Sequence, residues 1–100
     1  MTKIKLAGAA LNQTPLDWEN NLNNIKKAII LAQAESVSIL CLPELCITGY
    51  GCEDLFLGRW LPDQALSYIG EIASWCDQIT VCVGLPIWHH NVLYNCACLI

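Results

Sequence analysis

Residues 39–42, Ile-Leu-Cys-Leu, followed by Pro43, constrain this chain more than any other stretch. Four apolar residues are too few for a buried helix and suit a strand covered on both faces. Pro43 holds Leu42 extended and withholds a ladder donor, so the strand ends there. Glu44 is the first ionisable residue past that end. In open α/β sheets, ligands sit in the crevice outside the carboxyl ends of the strands, which makes Glu44 the candidate working carboxylate. A solvated acid at a strand-to-loop boundary is the structural alternative.

The flanking sequence has the period of an α/β fold. Residues 4–11 form a short apolar run with small side chains, ended by Asn12-Gln13 and suited to a central strand. Pro15 and Asp17 announce a helix over 17–34, with Asp17 as its cap. Trp18, Leu22, Ile25, Ile29 and Ala32 form one apolar stripe, and Asn20, Asn23, Asn24, Lys26, Lys27 and Gln33 occupy much of the remainder. With a strand over 37–42, this is a βαβ crossover with parallel strands. A second helix is predicted over 62–75, with Pro62 in its first turn, Asp63 near its positive end, and Leu66, Ile69, Ile72 or Ala73, and Cys76 inward. Strands follow over 79–83, closed by Gly84-Leu85-Pro86, then 87–89 and 92–100, the last two split by a hairpin turn at His90-Asn91. The order predicts helices against a mostly parallel sheet.

Composition narrows the function. One hundred residues make one small domain at most. Yet 55% are hydrophobic and 14% charged, against average usage of about 45–50% and about 25%. Such a chain is expected to bury surface against something else, and the apolar run at 93–100 reads as the interior of a larger fold. Five basic residues against nine acidic ones form no stripe, which argues against nucleic-acid binding. Lys3 and Lys5 before residues 6–11 imitate a secretion signal, but the apolar run is too short for one and far too short for a membrane span. Seven cysteines, an odd number with no C-x-x-C pair, read as reduced thiols in a cytoplasmic protein.

Few other side chains offer chemistry. His89 and His90, neighbours on an extended chain, are expected to point to opposite faces, so no metal site is predicted there or at Cys96 and Cys98. Cys46 could be a nucleophile activated by Glu44. If the segment stays extended, however, the two lie about 6.6 Å apart, beyond hydrogen-bond reach. Gly49 and Gly51 match neither phosphate-binding glycine pattern. They let the backbone turn sharply around Tyr50, for which a pocket wall and a core-packed ring are both open readings. Glu53 and Asp54 are expected to cap or solvate the turn.

Pro43-Glu44-Leu45 followed by Gly49-Tyr50-Gly51-Cys52-Glu53-Asp54 resembles the nitrilase, or carbon–nitrogen hydrolase, superfamily, and within it the glutaminase domains of glutamine-dependent NAD synthetases. Residues 10–13 with Asp17 and Asn21, and Gly84-Leu85-Pro86 with His89, Asn91 and Tyr94-Asn95-Cys96, extend the resemblance over nearly all of the chain. It implies an αββα sandwich of which residues 1–100 are the N-terminal part. It also implies a Glu-Lys-Cys triad in which Glu44 is the general base, with Tyr50 lining the glutamine pocket. The triad's lysine and cysteine are expected beyond residue 100, as is a synthetase domain that uses ATP and Mg to amidate deamido-NAD. The segment alone is therefore expected to be inactive, to hold no cofactor, and to belong to a homo-oligomer. A stand-alone amidase acting on another small amide and a non-catalytic α/β interaction module are the alternatives.

Overall fold

Asp17 starts the first helix. In the computed structural model, which describes residues 3–100, the Asp17 carboxylate accepts from the backbone N–H of Asn20, and helix α1 spans Trp18–Ala34. The predicted stripe is the face it buries: Leu22, Ile25, Ile29 and Ala32 are buried and Trp18 is half-buried. Strand β1 (Leu6–Gly8) precedes the helix and strand β2 (Ile39–Cys41) follows it, parallel, with Leu6 opposite Ile39 and Gly8 opposite Cys41. The βαβ unit is thus as expected, with both strands shorter than 4–11 and 37–42. Only three residue pairs join them, because Pro43 closes β2.

The second half departs from expectation in two places. Strand β3 (Thr80–His89) runs unbroken through Gly84 and Pro86, and pairs antiparallel with strand β4 (Val92–Leu99) along eight residue pairs. Pro86 is tolerated for a reason that the sequence hides. Val81 and Ile100 exchange both backbone hydrogen bonds, so in the alternating ladder Pro86 and Asn95 form a non-hydrogen-bonded pair. The proline nitrogen therefore faces the side where β2 has already ended, and no bond is lost. The turn at His90 and Asn91 is as predicted. Both residues have positive φ, 50° and 62°, as a two-residue hairpin of the type I′ kind requires.

A 3-10 turn (Glu53–Leu57) follows the Glu44 loop, and in place of one helix over 62–75 there are two, helix α2 (Trp60–Ser67) and helix α3 (Ile69–Ser74). Tyr68 is where they break. Its N–H bonds back to Ala65, three residues away, and the Ser67 hydroxyl takes the Gln64 carbonyl, so the last turn of α2 tightens. The Tyr68 ring packs 5.7 Å from that of Trp18. Ile72 is buried and Ile69 and Cys76 pack half-buried against the core as predicted, whereas Leu66 is exposed and α2 buries Leu61, Pro62 and Ala65 instead.

The sheet order is β1-β2-β3-β4, parallel except for β4. The helices bury one face of it, where Leu40, Val81, Val83 and Leu85 join Ile25, Ile29 and Ile72 in a single core. Each such side chain, fully buried, contributes roughly 1.5–3 kcal/mol. Among the described residues, no helix is long and apolar enough to cross a membrane.

Candidate active site

The strand end read from Pro43 is also where the site begins. Leu42 donates the last ladder bond, to the Cys82 carbonyl at 3.0 Å. The chain then turns instead of staying extended. Leu45 adopts a left-handed φ of 51°, and its carbonyl accepts from Gly49 N–H at 3.0 Å and from the Thr48 hydroxyl at 3.4 Å. A non-glycine residue in that region costs roughly 1–3 kcal/mol and persists only where its surroundings hold it. Here β3 holds it. A Cβ added at Gly84 would lie 2.6 Å from Leu45 N and 2.7 Å from the Pro43 carbonyl oxygen, so the loop carrying Glu44 rests directly on the strand backbone.

Glu44 is exposed and lines a cleft of about 280 Å3 with Cys41, Cys82, Gly84, Asn95 and Cys96 among its walls. Its Oε1 accepts a hydrogen bond from Asn95 Nδ2. Asn95 is the site residue that the sequence did not single out. Its motif was visible, but nothing in the spacing told that a residue 51 positions away would meet the acid.

The loop is pinned from its other side by amides. Asn21, buried on α1, accepts from Thr14 N–H at 2.9 Å and donates to the carbonyls of Thr14 at 2.8 Å and Ile47 at 3.1 Å. Gln13 donates to the carbonyls of Asn21 and Cys46, and Asn24 donates to Gln13. Gly49, at φ 82°, lies against the backbone of Thr14 and Pro15, where a Cβ would come within 2.7 Å. Only glycine fits there.

The remaining candidates fall outside the cleft. Tyr50 is 67% exposed and is not among the residues that line the Glu44 cleft, so the structure does not bring the two together. Cys46 is fully buried, its thiol 3.7 Å from the Gly84 carbonyl, and burial pushes its pKa up to about 11. It is a packing group held in the thiol form, which excludes it as the nucleophile on grounds of burial and not, as the sequence suggests, of extension. The rings of His89 and His90 lie 4.1 Å apart instead of on opposite faces, because His90 has left the extended backbone for the turn. Among the described residues, no three His, Cys, Asp or Glu side chains are grouped so as to hold a metal ion. Glu53 and Asp54 open the 3-10 turn and are exposed.

The comparisons with known proteins point the same way. A carbon-nitrogen hydrolase family model matches residues 5–100. The chain is similar to a glutamine-dependent NAD(+) synthetase of Arabidopsis thaliana, 39% identical over 99% of this chain and 14% of that protein. It is also similar to the crystal structure of a glutamine-dependent NAD(+) synthetase from Cytophaga hutchinsonii, with a TM-score of 0.95 at 56% identity over 99% of this chain and 17% of the other. An amidase from Nesterenkonia sp. superposes with a TM-score of 0.69 at 27% identity over 83% of this chain and 32% of the amidase. The chain thus spans well under a fifth of the length of the synthetases that it matches. With helices packed on one face of a sheet that carries a glutamate at the end of its second strand, it has the N-terminal part of the nitrilase-type α/β fold and belongs to the carbon–nitrogen hydrolase family.

Proposed function

We propose that these residues open the glutaminase domain of a glutamine-dependent NAD synthetase and supply its general base, Glu44. The placement of Glu44 carries the reading: it lies at the carboxyl end of β2, over Gly84, at the mouth of a cleft, and its Oε1 is engaged by Asn95. An ionised carboxylate there takes the proton of a cysteine thiol supplied by another part of the domain. The thiolate attacks the side-chain amide carbon of glutamine, and ammonia leaves with the proton returned. Water then cleaves the thioester to glutamate, while a lysine stabilises the charged tetrahedral species. Tyr50, with its ring exposed next to the pinned loop, forms a wall of the glutamine pocket in this reading.

ATP, Mg and deamido-NAD belong to a synthetase domain outside these 100 residues, which on their own have no glutaminase activity in this reading. The thiols of Cys46 and Cys52, buried as apolar core groups, support a cytoplasmic setting. Exposed apolar side chains at Leu6, Ile39 and Leu99 support burial against further protein, within the domain or between copies in a homo-oligomer.

Glu44→Gln in the full-length protein tests the assignment. NAD formation with glutamine should fall by about 100-fold or more. Formation with free ammonia, which bypasses the glutaminase, should continue. Equal loss of both activities refutes the role of Glu44. Hydrolysis of another small amide in preference to glutamine, with no ATP-dependent product, would select the stand-alone amidase.

A further inference from the structure

We infer that Asn95 is a positioning residue for Glu44, an inference that rests on the function proposed above. Asn95 lies on β4 in a non-hydrogen-bonded pair with Pro86, two residues along from the pair that Ala97 makes with Gly84. Its side chain therefore stands on the same face of the sheet as the Gly84 position that carries the Glu44 loop. There Nδ2 donates to Glu44 Oε1. An amide N–H only donates and an ionised carboxylate only accepts, so the contact suits the form of Glu44 that can take a proton. With Oε1 engaged, Oε2 accepts from no protein donor among the described residues and is the oxygen left to act as base.

The arrangement is built from rigid parts. β4 is tied to β3 along eight pairs, and the Glu44 backbone rests on β3 at Gly84, so donor and acceptor are both referenced to one strand. A base held in this way needs no reorganisation when the thiol arrives.

Two substitutions in the full-length protein separate positioning from packing. Asn95→Ala removes the donor, and Asn95→Asp keeps the shape while setting a second carboxyl against Glu44, so that the pair shares a proton and Glu44 is no longer free to take one from the thiol. We expect glutamine-dependent kcat to fall about 10-fold in Asn95→Ala and about 100-fold in Asn95→Asp. The KM for glutamine should stay within about 2-fold, and the ammonia-dependent rate, which bypasses the glutaminase, should be unchanged. Alanine being more damaging than aspartate would show a packing role and overturn the inference, as would a loss confined to KM or an equal loss with ammonia. If one variant fails to fold, the other decides: a wild-type kcat in either refutes the role. Wild-type behaviour of both, with Glu44→Gln inactive, would remove Asn95 and leave the base assignment standing. An active Glu44→Gln would remove both.

Discussion

On the helix-covered face of the sheet, Leu40, Val81, Val83 and Leu85 are 2%, 0%, 0% and 0% exposed; on the other, Leu6, Ile39 and Leu99 are 69%, 40% and 70% exposed. Ile39 and Leu40, neighbours on β2, fall one on each face, as a period of two requires. Toward the carboxyl end of β2, the open face changes character. Its large side chains give way to Gly84, Asn95 and Ala97, and the Glu44 loop crosses it there. One face is thus held by apolar burial, whereas the other places a carboxylate by a backbone contact and one amide. The two should respond differently to mutation.

Ile25→Ala should show the largest effect on stability and the least on the site. Ile25 is fully buried between α1 and the sheet, and truncation of such a side chain costs about 2–5 kcal/mol. Urea denaturation measures the loss. In the full-length protein, turnover of the folded fraction with glutamine should be unchanged, and a specific loss of turnover would mean that the two faces are not independent.

Cys46 tests the boundary between the faces, because it is buried yet belongs to the Glu44 loop. Its pKa in the folded state, about 11, exceeds the ordinary 9.0, so the native protein holds the thiol proton more tightly than the unfolded chain. The associated stability is fully present below pH 9.0 and is lost as pH rises through about 11. The loss is on the order of 2–3 kcal/mol. Cys52, Cys76 and Cys82 are shifted in the same direction by burial and share the alkaline transition. Cys46→Ala should shrink it most, seen as a flatter stability profile above pH 9; an unchanged profile would show that Cys46 ionises as freely in the native state as in the unfolded one.

What the sequence made legible follows the same division. The cap at Asp17, the α1 stripe, the strand end at Pro43 and the turn at His90-Asn91 all depend on neighbours a few residues apart, and each is where the pattern puts it. The features that escaped depend on partners far along the chain. Pro86 looks like a terminator until it is seen that β2 has ended beside it. Asn21 looks like one more polar residue of α1 until the loops that it joins are in place. Leu66 falls off the expected stripe because Ser67 and Tyr68 tighten the helix end. In the candidate site, the position of Glu44 just past the strand end was legible, whereas its contact with Asn95 was not, because it forms only after the hairpin folds back.

Gly84→Ala has the smallest expected cost in stability, about 1–3 kcal/mol, and puts the comparison under most strain. The added Cβ meets the backbone of residues 43–45 at 2.6–3.0 Å, and backbone cannot step aside as a long side chain can. β3 is fixed by its pairing with β4, so the loop must lift, taking Glu44 away from Asn95. Glutamine-dependent turnover should then fall about as far as in Asn95→Ala, with ammonia-dependent synthesis retained. The double variant should be little worse than either single one, because both remove the same placement. Fully additive losses would mean that Gly84 and Asn95 act separately, and that the open face holds its carboxylate by something other than the strand beneath it.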